Sequence, residues 1–170
     1  MKRVAVASAV LVLALTASVP GAGAVGGGGC RITSHIVFTP KSAGDGAWTI
    51  ERGIIDCVGL LAGGKNRITG AGEFQGSGTY TTVPAPGGAC LHQVADGRFS
   101  YRIPTSGGYV VIDEPGGYTT LGAGALSTPT LRGPIQIAPP YTGDCVTKPV
   151  TAASFLGQVS LYRGVEPPTV

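Results

Sequence analysis

The chain has 170 residues, with 12 Lys and Arg against 9 Asp and Glu, a formal net charge of +3 and 43% hydrophobic residues. Two of the excess positive charges, Lys2 and Arg3, sit at the N-terminus, and no Lys/Arg block of the kind that neutralises a phosphate backbone remains elsewhere. Nucleic acid is therefore not an expected partner, and 29 Gly with 13 Pro argue against helices.

The first segment is a targeting signal by its chemistry. Met1-Lys2-Arg3 is positive, Val4 to Val19 is an apolar run, Pro20-Gly21 breaks any helix, and Ala22-Gly23-Ala24 is a small-x-small cleavage site. Residues 1–24 therefore read as a secretory signal peptide cleaved near Ala24, which predicts a secreted, extracellular protein. The rivals are an uncleaved anchor, for which the run is short, and a lipoprotein signal at Cys30, which has Gly27 where such signals carry Leu. Cleavage removes Lys2 and Arg3 and no acid, leaving a net charge of +1 and no membrane span. Residues 25–164 make one domain of ordinary size, and "VEPPTV" at 165–170 reads as a flexible tail.

Next come two strands, "CRITSHIVFT" and "AWTIERGIIDCV", around the turn-rich "PKSAGDG". A hairpin centred between Ala43 and Gly44 puts Cys30 opposite Cys57 and Phe38 opposite Thr49. "RITGAGEFQGSGTYTT" alternates strictly, with Ile68, Gly70, Gly72, Phe74, Gly76, Gly78 and Tyr80 on one face and polar residues mostly on the other. A dinucleotide loop needs G-x-G-x-x-G opening a helix, and both the spacing and the following prolines deny it here. Glycine on the inner face of a long strand permits coiling or close approach instead.

Later elements follow the same pattern. "GRFSYRIP" aligns Phe99, Tyr101 and Ile103, and "GYVVIDE" is a β-branched run closed by Pro115-Gly116-Gly117. "TLRGPIQIAPP" aligns Leu131, Gly133, Ile135 and Ile137, and "TAASFLGQVSLYR" aligns Ala153, Phe155, Gly157, Val159 and Leu161. Four cysteines, Cys30, Cys57, Cys90 and Cys145, predict two disulfides in an exported chain, with Cys30–Cys57 and Cys90–Cys145 as the preferred pairs. Zinc is the rival use, and no C-x-x-C pair supports it.

The fold expectation is all-β, a single antiparallel β-barrel or strongly twisted β-sandwich with two disulfides. The G-x-G strands resemble those of dirigent-type and allene-oxide-cyclase-type barrels, a likeness of strand style that carries no catalytic motif. With its signal peptide and four cysteines, the whole chain resembles small exported β-proteins of high-GC Gram-positive bacteria. That resemblance implies export and no reaction.

Catalytic chemistry has little to draw on. His35 and His92 are the two histidines, and no G-x-S-x-G elbow accompanies them, so no catalytic residue is assigned. His35, His92, Asp96, Asp113 and Glu114 lack metal-ligand spacing, so no metal or cofactor is assigned, although Asp113-Glu114 could end a calcium loop. As a pair the two acids read more simply as a solvated strand end. Glu51, Asp56, Glu73 and Asp113 cannot be paired into a glycosidase couple from spacing alone. Glu73 and Gln75 matter if their face lines a lumen, and the simpler expectation is a solvated outer face.

Ligand contacts are assigned to Phe74 and Tyr80 if a barrel lumen is open, and to Tyr118 and Tyr141, beside turns, as exposed rings. Three functional classes remain. The first is a non-enzymatic secreted binding or cell-surface-associated module, whose partner is a small molecule or a surface component. The second is a carrier of a small apolar molecule in the lumen, and the third is a small hydrolase or isomerase.

Overall fold

The computed structural model describes residues 28–41, 44–61, 66–83, 92–143 and 148–162. Eleven strands run in chain order: β1 (Gly29–Pro40), β2 (Asp45–Val58), β3 (Leu60–Leu61), β4 (Asn66–Arg67), β5 (Gly72–Thr82), β6 (Gln93–Thr105), β7 (Gly108–Thr119), β8 (Ala125–Ser127), β9 (Leu131–Gly133), β10 (Ile135–Thr142) and β11 (Ala152–Leu161). Among the described residues there is no helix.

Antiparallel pairing runs β1-β2-β5-β6-β7-β8-β9-β11, and β11 pairs back onto β1, closing an eight-stranded barrel. β10 is the extra strand. It continues β9 past Pro134 and pairs with β11 beyond the point where β9 leaves it. Closure removes most of the open edges that a sheet of this length would present. β3 and β4 form a separate two-stranded ribbon.

Alternation decides which residues face the axis. Ile32, Ile36 and Phe38 of β1, Phe99, Tyr101 and Ile103 of β6, and Ala153, Phe155, Val159 and Leu161 of β11 are all buried, as the period-two patterns predict. "RITGAGEFQGSGTYTT" is strand from Gly72 onward, with Phe74 and Tyr80 inside. Its bare positions make room for rings: a Cβ on Gly76 would stand 2.9 Å from the Phe99 ring and 3.0 Å from that of Trp48.

The Cys30–Cys57 disulfide is formed and the two residues are register partners. The hairpin register around it is corrected in one respect. Phe38 lies opposite Trp48, not Thr49, so the turn end of the hairpin is offset by one residue. β2 carries one extra residue relative to both of its neighbours, β1 and β5, between Ile50 and Gly53. Glu51 and Arg52 consequently both point outward, and the inward set changes from Gly46, Trp48 and Ile50 to Gly53, Ile55 and Cys57. The bulge restores the register that brings the cysteines together. Cys90 and Cys145 lie outside the described residues, as do the proposed signal peptide and tail.

A second correction concerns β7. Its strand does not close at Pro115-Gly116-Gly117 but runs on to Thr119. The Thr120 N–H donates to the Gln93 carbonyl, so even-numbered residues of this strand bond to β6 and odd-numbered ones face the other way. Pro115 thus lacks its N–H on the side where no strand pairs with it, a position where proline is tolerated.

Candidate functional site

The lumen holds most of the predicted ligand-binding residues, and it is packed with them. Phe74, with no exposed surface, stacks on Tyr101 at 5.6 Å, Phe99 at 5.8 Å and Phe155 at 6.1 Å between ring centroids. Trp48 lies 5.1 Å from Phe99 and 5.4 Å from Tyr118, and Tyr118 lies 5.7 Å from Phe155. Five rings therefore form a closed circuit across the barrel, at separations typical of attractive aromatic pairs. Tyr80 packs edge-on against Phe38 at 5.5 Å.

Tyr118 was expected to be exposed and is not. Because β7 continues through Pro115, Tyr118 shares the inward face with Ile112, and its hydroxyl donates to Gln93 Oε1 at 3.2 Å. Burial raises its pKa above the usual tyrosine range, and the Tyr80 hydroxyl adds to the rise. Tyr141 stands apart from the other three. It is 42% exposed near the end of β10, with its hydroxyl donating to the Ile137 carbonyl.

The same face holds a residue that sequence reasoning misread. Glu114, expected at a solvated strand end or a calcium loop, is only 5% exposed and points into the barrel. Thr130 donates its N–H to both carboxyl oxygens, at 3.2 and 3.1 Å, and its hydroxyl to Oε2 at 2.8 Å. Tyr101 donates its hydroxyl to Oε1 at 3.0 Å. Thr128 completes the group, its Oγ1 lying 3.3 Å from the Tyr101 hydroxyl and accepting the Leu131 N–H at 2.8 Å. Burial pushes the Tyr101 pKa well above the usual tyrosine range, an effect reinforced by the neighbouring Glu114 and opposed by the bond to Thr128.

A buried carboxyl group is costly unless hydrogen bonds replace its water. Here the bonds run between β7 and the β8–β9 connection, where the barrel wall has only three-residue strands. Both oxygens are engaged, so the geometry clamps the wall and leaves neither oxygen open to a substrate. Parity could have found this residue: Val110, Ile112, Glu114 and Tyr118 share one face once the strand is allowed to pass Pro115.

The remaining titratable candidates are dispersed. His35 is exposed opposite Ser154, and His92 precedes β6, its carbonyl accepting the Val83 N–H. Neither is hydrogen-bonded to Glu114, whose partners are Tyr101 and Thr130. Asp113 sits outside and pairs with Arg98 at 2.9 Å, and Glu73 lies outside, 3.9 Å from Arg102. Gln75 is exposed beside it, so this face is the solvated one. Among the described residues no three His, Cys, Asp or Glu side chains gather as a metal-holding group.

Besides an open cleft of about 520 Å³ over Val94, Asp96, Pro115 and Ser127, two further open clefts lie on the outer surface among the described residues. One, of about 630 Å³, is bounded by Arg31, Thr33, Gln136, Leu156 and Gln158, with the β7–β8 turn at Gly122 and Ala123 as its wall. The other, of about 460 Å³, lies over β2, β5 and β6 beside the bulge, between Glu51, Gln75, Ser77, Arg98, Ser100 and Asp113. The first joins a guanidinium and two amides to an apolar strip, while the second is polar throughout its named side chains.

Compared with protein-family models, curated proteins and solved structures, the chain matches none.

Proposed function

We propose that this chain is an exported, non-enzymatic β-barrel scaffold whose partner, a small molecule or a surface component, docks on the outside of the barrel. One observation carries the reading: the lumen is occupied by the protein's own rings. Among the described residues every buried side-chain nitrogen and oxygen already has a hydrogen-bond partner, which favours an outer site over an inner one. The cleft of Arg31, Gln136 and Gln158 is the preferred docking place, because polar groups converge there on an apolar floor. The carrier alternative asks Phe74 and Tyr80 to yield space that they now fill.

Native mass spectrometry of the protein purified from culture medium separates these readings. The outer-site reading expects an apo mass, together with capture of envelope components that falls when Arg31→Ala and Gln158→Ala are combined. A persistent apolar adduct, displaced by Phe74→Trp and indifferent to the Arg31 variant, establishes the carrier instead.

A further inference from the structure

Among the described residues the barrel leaves the edge of β7 unprotected. β7 pairs with β6 from Gly108 to Thr119, but β8 covers only Gly117 to Thr119 on its other side. Further down that side, Glu114 and Gly116 are packed by the Thr128–Thr130 connection. Tyr109, Val111 and Asp113 therefore direct backbone N–H and C=O groups away from β6 toward no other described strand. Tyr109 and Val111 are each 64% exposed.

The other open edge, that of β10, is guarded. Pro139 and Pro140 supply no donors, and the β7–β8 turn packs Gly124 against the Ile135 carbonyl. Proteins commonly blunt exposed edges in these ways, and among the described residues β7 has no such guard between Tyr109 and Asp113.

We propose that this edge pairs with the same edge of a second copy, antiparallel about a twofold axis at Val111, so that β7 joins two barrels into one continuous sheet. Alternation restricts the register. Outward-bonding residues must face outward-bonding residues, so Val111 meets the partner's Val111 and Tyr109 meets the partner's Asp113. The charges agree with this register. The Arg102 guanidinium lies over the Tyr109 ring at 4.1 Å, which sets it beside the partner's Asp113. The Asp113 carboxylate, held by Arg98 within its own barrel, thereby gains a second cation across the axis. Apolar Val111 meets its own copy at the centre, where a like-charged pair would be repulsive.

Sedimentation velocity over a concentration series tests the pairing. The expected result is a reversible monomer–dimer equilibrium with no larger closed species. Val111→Pro deletes the central outward N–H without touching the bonds to β6, and should weaken the dimer at least about tenfold at unchanged far-ultraviolet circular dichroism. Val111→Lys keeps the backbone intact, places like charges across the axis, and serves if the proline variant misfolds. Val111→Cys should cross-link to itself under oxidation while Thr79→Cys, on the same outer face of β5, does not. A monomer at every soluble concentration overturns the proposal. So does a dimer that survives both Val111→Pro and Val111→Lys, or one cross-linked as readily through position 79 as through 111.

Discussion

The barrel is closed by two different kinds of wall. From β1 through β2, β5 and β6 the strands are long and continuous, the inner face is ringed by Trp48, Phe74 and Phe99, and a disulfide ties Cys30 to Cys57. Between β7 and β11 the wall passes through β8 and β9, strands of only three residues, and the closure leans on the carboxyl group of Glu114. The first wall is held by apolar area and cross-strand bonds spread over many residues. The second concentrates its hold in a few hydrogen bonds. Distributed contacts lose little when one is removed, whereas a buried polar cluster loses heavily when one member leaves the rest unpaired.

The sharpest way to break this comparison is Glu114→Ala. It strips an acceptor from the Thr130 N–H, the Thr130 hydroxyl and the Tyr101 hydroxyl, all buried, and should cost about 3–9 kcal/mol at roughly 1–3 kcal/mol per orphaned group. Urea denaturation measures it, and a loss below about 1 kcal/mol would mean that the short-stranded wall does not depend on this carboxyl. Next in size is the disulfide of the long-stranded wall. Replacing Cys30 and Cys57 together by Ser should cost about 3–4 kcal/mol, the loop entropy set free by a sequence separation of 27. Differential scanning calorimetry of the double variant reads it directly.

Gly76→Val tests the ring packing itself. Its side chain would press on Phe99 and Trp48, so overpacking should cost about 1–3 kcal/mol, read by chemical denaturation and by the near-ultraviolet circular dichroism of Trp48. Ile54→Thr, on the exposed outer face of β2, is the matched control and should change stability little.

Per residue, titration is a smaller effect still than the loss of the disulfide. Tyr101 and Tyr118 both have folded pKa values raised above the ordinary tyrosine value of 10.0, chiefly by burial. Each keeps its full contribution below pH 10, and stability falls as pH rises beyond it, because the unfolded phenol ionises first. At pH 11 the loss is about 1.4 kcal/mol per residue. Melting curves from pH 8 to 11 should show this fall, and Tyr118→Phe should remove its own share. The same slope in Tyr101→Phe/Tyr118→Phe would assign the alkaline loss to other groups.

Much of the long-stranded wall was legible in the sequence. "GRFSYRIP" alternates, the alternation names Phe99, Tyr101 and Ile103 as inward, and the structure buries all three. The Cys30–Cys57 pairing was legible as well, although the assumed register around Phe38 is one residue off and the β2 bulge makes up the difference. The short-stranded wall was not legible. Pro115-Gly116-Gly117 has the composition of a turn, which makes Glu114 look like the end of a strand and Tyr118 like a ring beside a turn. Both are interior because the strand passes through the proline on its unpaired edge.

By itself, then, the sequence determined the all-β class, the inward faces of the long strands and the partner of Cys30. Those features follow from side-chain alternation and turn composition, which are local. The tertiary structure decided where β2 gains its extra residue, that eight strands close on one another, and that Glu114 turns inward to bond Thr130 and Tyr101. Each of these depends on which backbone or side-chain groups of distant strands meet. A buried carboxyl group becomes tolerable only when its donors arrive from other strands, and its own neighbours in sequence carry no sign of them.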